Sequence, residues 1–529
     1  LCNTGGVNNV FIGQCAGRTN STGSNNFFAG FCAGFNNTTG SYNFIAGLYA
    51  GRNNTTGINN TFIGRCAGFS NTIGCNNTFI GLSTGNANTT GANNIFMGSS
   101  AGRDNTTGNF NTFLGFQAGL GNTTGSSNTF IGFRAGLCNT TGGYNTFIGY
   151  YAGRRNTTGS NNTFIGISAG CSNTLGNANM FIGCLAGACN TTGSGNFFAG
   201  QCAGINNTVA NYNNFIGYAA GQCNTTGAYN NFFGLYAGRC NTTGSFNVFV
   251  GRYAGRNNTT GTNNLFAGHC AGVCNTTGNC NNFFGLNAGQ CNTTGGSNTF
   301  IGSYAGRRTT LGTENIFIGT ESGQCNVTGN CNVFIGRFAG QLTSSGCFNT
   351  FVGPTAGANI TTGSNNLILG NGAAASTATV SNEITLGNAS ITTIRAQVTT
   401  ITSLSDARDK CDVITLNSGM DFLRQVRPVQ FTWNMRDGAK IGQQETGFIA
   451  QELRSVLDAS AIRPWLADLV ISNDDDSRLE AAPGKLLPLV IRALQELENS
   501  NQALEQANQA LAERVTTLEQ QVTQSKPSN

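Results

Sequence analysis

From Asn3 to Ser376 a 17-residue unit repeats 22 times, with no residue gained or lost. One copy reads Asn156-Thr-Thr-Gly-Ser-Asn-Asn-Thr-Phe-Ile-Gly-Ile-Ser-Ala-Gly-Cys-Ser172. Spacing this strict means that the units stack, because one extra residue would shift every later side chain out of its column. The pattern points to a quasi-one-dimensional solenoid or fibre shaft and away from a compact enzyme. Slots are numbered below from the first residue of each unit.

The seventh slot is Asn in every copy, from Asn9 to Asn366, and the eleventh is always Gly. The ninth is nearly always Phe, as in Phe11, Phe62, Phe164 and Phe334, and the fourteenth and fifteenth are nearly always Ala and Gly. This predicts a short strand, roughly Asn-Thr-Phe-Ile, bounded by Gly. A period of two places the Asn and the Phe on one face. Stacked in register, the Phe form an apolar column and the Asn an amide ladder, while Gly supplies positive-φ corners. No 3.6-residue period exists here, so helices are excluded. At ~4.8 Å per coil the shaft is about 105 Å long. The expected fold class is mainly β, a parallel β-solenoid or β-roll over residues 1–376. Such repeats resemble the Gly-rich β-roll heads of trimeric adhesins and the repetitive shafts of phage fibres.

Charge is sparse and uneven. Residues 3–376 hold 13 Arg against Asp104, Glu314 and Glu321, a balance of 13 − 3 = +10, and the remainder carries 14 − 19 = −5. Seven of the Arg share slot 16, from Arg18 to Arg307. They form a solvated edge or a basic stripe for anionic surface glycans. Lys is absent from the repeats, which disfavours a nucleic-acid partner. No run of 18 apolar residues exists, so no membrane insertion is expected. His269 is the sole His and no CxxC pair occurs, so neither a metal nor a cofactor is expected. Three scattered acids do not make a glycosidase carboxylate pair. Nineteen of the 20 Cys lie at or before Cys347. Stacked coils approach closely enough for pairs such as Cys15–Cys32, Cys223–Cys240 and Cys274–Cys291 to bridge; the alternative is small half-buried thiols. Asn-Thr-Thr also matches the N-glycosylation acceptor pattern, almost automatically in this composition. The chain opens at Leu1 in mid-pattern, so an N-terminal anchor or targeting segment is expected to be missing.

The 17-residue spacing is expected to end at Thr377, with a β stem over 377–404. A globular α/β module is expected over 405–483, followed by a coiled-coil helix over 484–529. Four motifs follow in order: Ser405-Asp-Ala-Arg-Asp-Lys410, Gly419-Met-Asp-Phe-Leu-Arg-Gln-Val-Arg-Pro-Val-Gln-Phe-Thr-Trp433, Gly447-Phe-Ile-Ala-Gln-Glu-Leu453 and Ala493-Leu-Gln-Glu-Leu497. Together they resemble the C-terminal intramolecular chaperone domain of endosialidase-type phage tailspikes and tail fibres, which is also a peptidase family. The resemblance implies a homotrimer that folds the attached shaft and then cuts itself off between Leu404 and Ser405. It further implies Ser405 as nucleophile and Lys410 as general base. A lysine serves as a base only where burial favours the neutral amine. Asp406 and Asp409 either orient the dyad or serve the turn. No Ser-His-Asp triad is possible, since His269 lies in the shaft.

From Leu487 to Val522, apolar residues and two Asn alternate by three and four over five heptads. This is a coiled-coil seam, with Asn501 and Asn508 at register-setting a positions. The expected function is a phage-like tail fibre or tailspike segment on the virion exterior. It contacts a host cell-surface glycan or protein receptor, and its own copies are its assembly partners. The alternative is a cellular surface filament or adhesin built with the same module. A cleavage-released regulator would need a DNA-binding domain and a membrane helix, neither of which occurs in this sequence.

Overall fold

The computed structural model describes residues 3–391, 393–395, 397, 405, 407–417, 419–434, 441–472 and 479–525. Two units are present: Leu1–Ala373 with Thr379–Leu386, and Ala374–Ala378 with Gly387–Asn529.

The first unit is a parallel β-solenoid. It holds 23 three-residue strands, from β1 (Val10–Ile12) to β23 (Ile384–Leu386). Each strand pairs in parallel with the next at an offset of 17, as in Thr163↔Met180 and Phe164↔Phe181. The middle residue of the strand points inward, and Phe164 is fully buried. Its ring lies 4.8 Å from Phe147 and 4.8 Å from Phe181, each pair within 6° of parallel. The inward Ala of slot 14, such as Ala169, is also fully buried. The Phe column therefore forms the apolar core.

The polar core is larger than the sequence suggests. In slot 7, the Asn162 backbone N–H donates to Asn145 Oδ1 at 3.0 Å, and Asn162 Nδ2 donates to the Gly176 carbonyl at 2.8 Å. A second ladder runs through slot 1. Asn156 Nδ2 donates to Asn139 Oδ1 at 2.7 Å and to the Gly159 carbonyl at 2.8 Å, while its Oδ1 accepts from Asn173 Nδ2 at 2.8 Å. Both Asn156 and Asn162 are fully buried. Slot 1 is also the Asn of Asn-Thr-Thr. A glycan on Asn156 Nδ2 would take one of its two donor hydrogens and has no room beside a fully buried side chain, so glycosylation there and this stacking exclude each other.

The corners also differ from expectation. Gly166 (φ +132) and Gly170 (φ +56) do turn the chain, and a Cβ on Gly170 would sit 2.6 Å from the Phe164 ring. Slots 6 and 13 also lie in the left-handed region, and apart from Gly195 and Gly372 without glycine there, as in Asn161 (φ 60) and Ser168 (φ 53). That conformation costs roughly 1–2 kcal/mol per residue. It is held because the Asn161 and Ser168 N–H groups donate to Gly143 O (3.1 Å) and Tyr150 O (2.8 Å) in the preceding coil.

The 17-residue offset does not stop at Ser376. β23 pairs with β22 (Leu367–Leu369) through Leu367↔Ile384, which gives one further coil in what was expected to be stem. Glu383 occupies the Asn slot of this coil, and its N–H donates to Asn366 Oδ1 at 2.9 Å. A carboxylate has no N–H₂ to donate onward, so the ladder terminates there.

The described cysteines are free thiols. The expected Cys223–Cys240 and Cys274–Cys291 pairs stand near each other unbridged, and burial followed by the neighbouring thiol pushes Cys223 and Cys274 up. The slot-16 arginines mostly lie over rings: Arg154 Cζ is 4.9 Å from the Tyr151 centroid and Arg239 Cζ 5.1 Å from that of Tyr236. Arg103 instead pairs with Asp104 at 2.7 Å.

The second unit contains α1 (Met420–Leu423), a hairpin of β24 (Val429–Thr432) and β25 (Gln444–Gly447), α2 (Ala450–Asp458), a hairpin of β26 (Val470–Ser472) and β27 (Leu479–Ala481), and the 38-residue α3 (Leu487–Gln524). Phe422, Leu457, Leu469, Leu486 and Leu489 form its core. The apolar face of α2 closes it through Leu457 and the half-buried Val456.

The slot-1 ladder has natural breaks. At Thr309 and Thr343 the side chain is too short to reach, and Asn292 Oδ1, Asn326 Oδ1 and both Thr hydroxyls are buried with no hydrogen-bond partner among the described residues. An unsatisfied buried group costs about 1–3 kcal/mol. Thr309→Asn is therefore expected to stabilise the shaft by at least about 1 kcal/mol, read as a raised unfolding temperature. Asn156→Ala, which opens the same kind of gap, is expected to lower it. Equal melting of all three proteins would contradict the ladder's role.

Candidate functional site: a serine–lysine contact

The sequence between Ser405 and Lys410 folds into a tight turn. Ala407–Asp409 form one turn of 3₁₀ helix, and the Lys410 N–H donates to the Ala407 carbonyl at 3.3 Å. A five-residue separation through such a turn folds the lysine side chain back on the serine. Lys410 Nζ lies 2.6 Å from Ser405 Oγ and 3.4 Å from the Ser405 carbonyl oxygen. This is a hydrogen bond, with the lysine amine donating to the serine hydroxyl. Both side chains are exposed in the single chain. Leu404 and Asp406 lie outside the described residues, as does the Asp409 side chain. The backbone of Asp409 closes the 3₁₀ turn.

Behind this turn stands the packed globule. Gly419 opens α1 directly against α3: a Cβ there would lie 2.6 Å from both the Ala493 nitrogen and the Leu489 oxygen. Glu496 of α3 reaches back and accepts from the N–H groups of Gly419 (3.1 Å) and Met420 (2.9 Å). It thereby caps the short helix that has no side-chain cap of its own. Those backbone donors, the Met420 N–H first, hold the Glu496 carboxyl below its ordinary value. Arg492, one turn earlier, pairs with the same carboxylate at 3.2 Å. Sequence reasoning placed Glu496 in a motif without assigning it a task. The missing signal was the contact across 76 and 77 residues.

Arg427 of the loop before β24 pairs with Glu452 of α2, its Nε at 3.0 Å from Oε2. Trp433 Nε1 donates to Glu445 Oε2 at 2.6 Å across the hairpin. Leu423, Val426, Pro428 and Phe448 line an open apolar groove that runs onto Leu487 and Val490, the first two seam positions of α3. The later seam residues Leu504, Leu511 and Val522 are exposed. Among the described residues no cluster of three or more His, Cys, Asp or Glu could hold a metal ion, and no helix is long and apolar enough to cross a membrane.

Comparison with known proteins agrees with this picture. Residues 405–462 match the family described as chaperone of endosialidase. The match begins at the serine of the Ser405–Lys410 contact and covers α1, the β24–β25 hairpin and α2; α3 lies outside it. The chain thus carries a chaperone-of-endosialidase domain after a 17-residue-repeat β-solenoid. No curated protein and no solved structure matches the chain.

The cap predicts an acid-sensitive joint between α1 and α3. A carboxyl whose folded value is depressed stabilises the fold above its unfolded value, here 4.5, and that stability is lost as pH falls through the lower folded value. Protection of the Met420 amide, taken relative to its intrinsic exchange rate at each pH, is expected to fall below about pH 4.5 in the natural chain. In Glu496→Gln that protection is expected to be lower at pH 7 and to lose the acid step. An unchanged exchange rate in the variant would remove the cap's role.

Proposed function

We propose that this chain is a segment of a phage-like tail fibre or tailspike, wound by its C-terminal domain, which then cuts itself off between Leu404 and Ser405. The observation that carries this reading is the 2.6 Å contact of Lys410 Nζ with Ser405 Oγ at the first residues of the matched domain. Ser405 Oγ gives its proton to Lys410 Nζ and adds to the Leu404 carbonyl carbon. The bond from that carbon to the Ser405 nitrogen breaks, and the nitrogen takes a proton and leaves as a free amine. Water then hydrolyses the Leu404 ester on Oγ, leaving a carboxylate at Leu404 and the restored hydroxyl at Ser405. Each domain acts once and on its own chain.

The exposure of the pair gives the reaction its timing. Lys410 accepts a proton well only when desolvation disfavours the ammonium, and the single chain leaves it open to water. A neighbouring copy, brought in by the exposed seam of α3 and its adjoining apolar groove, would supply the cover. Cleavage then follows assembly of three chains. The shaft is released as a fibre whose stability is kinetic, because the element that started its winding has gone. Host attachment falls to the shaft, whose Arg- and Tyr-bearing edges suit an anionic surface glycan.

Intact mass of the expressed protein is expected to show two products, ending at Leu404 and beginning at Ser405. Ser405→Ala and Lys410→Met are each expected to leave the chain uncut with its oligomeric state unchanged. A soluble, assembled natural chain of full mass would refute self-cleavage.

A further inference from the structure

This inference rests on the assembly reading above and names the surface by which copies meet along the shaft. The period of two that buries the ninth-slot Phe turns slots 8 and 10 outward on the same sheet face. Slot 10 is Ile, Ala, Val, Leu, Met or Phe in all 22 units, and slot 8 never carries a charge. These side chains are half-buried or exposed in the single chain, the more open slot-10 ones including Met97 at 40%, Ile301 at 41% and Val250 at 42%. The adjacent outward slot 12 behaves differently, accepting Gln14, Arg65, Ser99 and Arg252. None of the 13 Arg and three acids of the repeats falls on slots 8 or 10. Single exposed apolar residues need no explanation. Slot 8 takes Thr or Asn in 11 units, but the slot-10 column excludes polar residues in every coil, and such a column does need one, because it marks a surface covered in the working protein.

The occupant must run the full length of the column and match its 4.8 Å step. Only an object with the same repeat does both, and this chain has it. Identical uncharged strips meet without repulsion, whereas the Arg-bearing edges of two copies would repel. A strip about 105 Å long and two residues, or about 7 Å, wide offers roughly 700 Å² per chain. That approaches the ~800 Å² per partner of a stable interface. We propose that slots 8 and 10 form the interface between copies of this chain, the three sheet faces turned to a common axis, with the coils in register.

Two native methionines test this without mutation. Met97 stands in slot 10 and Met180 in slot 8, and each is more than a third exposed in the single chain. The full chain is sized by light scattering, treated with hydrogen peroxide and mapped by peptide mass spectrometry. A multimeric chain is expected to oxidise Met97 and Met180 at least about tenfold more slowly than the same chain unfolded in urea. A multimer that oxidises both within about twofold of the unfolded rate overturns this face while leaving assembly intact. A monomer overturns both. A photo-crosslinking p-benzoylphenylalanine at Ile165 (slot 10) is expected to join copies, and one at Thr158 (slot 3) is not. The reverse pattern also overturns the proposal.

Discussion

Everything in the shaft depends on one hydrogen-bonded step, the passage of a buried carboxamide from one coil to the next. The invariant slot-7 carboxamide of Asn162 is satisfied only by the coil that follows it, whose Asn179 N–H donates to its Oδ1 and whose Gly176 carbonyl accepts from its Nδ2. A side chain with one donor and one acceptor end can extend such a chain without limit; one with acceptors alone ends it, as Glu383 does. The step admits no insertion. It accounts for the constancy of the 17-residue unit better than the Phe column does, because ring stacks tolerate exchange. Ile45 replaces Phe inside the column and remains fully buried.

The same dependence makes the shaft hard to begin. An isolated coil must order 17 residues at roughly 1–2 kcal/mol each, against inward amides that have no neighbour. It must also hold two left-handed corners whose N–H groups find acceptors only in the preceding coil. Each later coil meets a finished template and repays its ordering at once. A quasi-one-dimensional array of this kind is stable in the middle and weak at initiation. The proposed function, a domain that gathers chains and then departs, would answer that difficulty. The second unit has the parts for it: its own core around Phe422 and Leu469, and a helix whose seam is left open.

Much of this was legible in the sequence. The offset of 17, the inward Phe and the seventh-slot Asn follow from periodicity alone. The slot-1 ladder was hidden because Asn-Thr-Thr reads equally well as turn chemistry or as a glycosylation acceptor, and only burial distinguishes them. The non-glycine corners were missed because Tyr151 and Ser168 share no propensity for positive φ; the preceding coil imposes it. The extra coil at Ile384–Leu386 was obscured by Glu383, which breaks the side-chain pattern while keeping the backbone offset. In the second unit the Ser405–Lys410 pairing was readable from motif order. The Glu496 cap was not, because it joins residues more than 70 positions apart.

The most direct measurement is to produce residues 1–404 without the domain that follows and compare them with the full chain by sedimentation and far-ultraviolet circular dichroism. The account predicts aggregated or unwound material from the truncated chain and soluble β-rich rods from the complete one. Soluble, regularly wound rods from the truncated chain in equal yield would show that the ladder starts itself, and would contradict it.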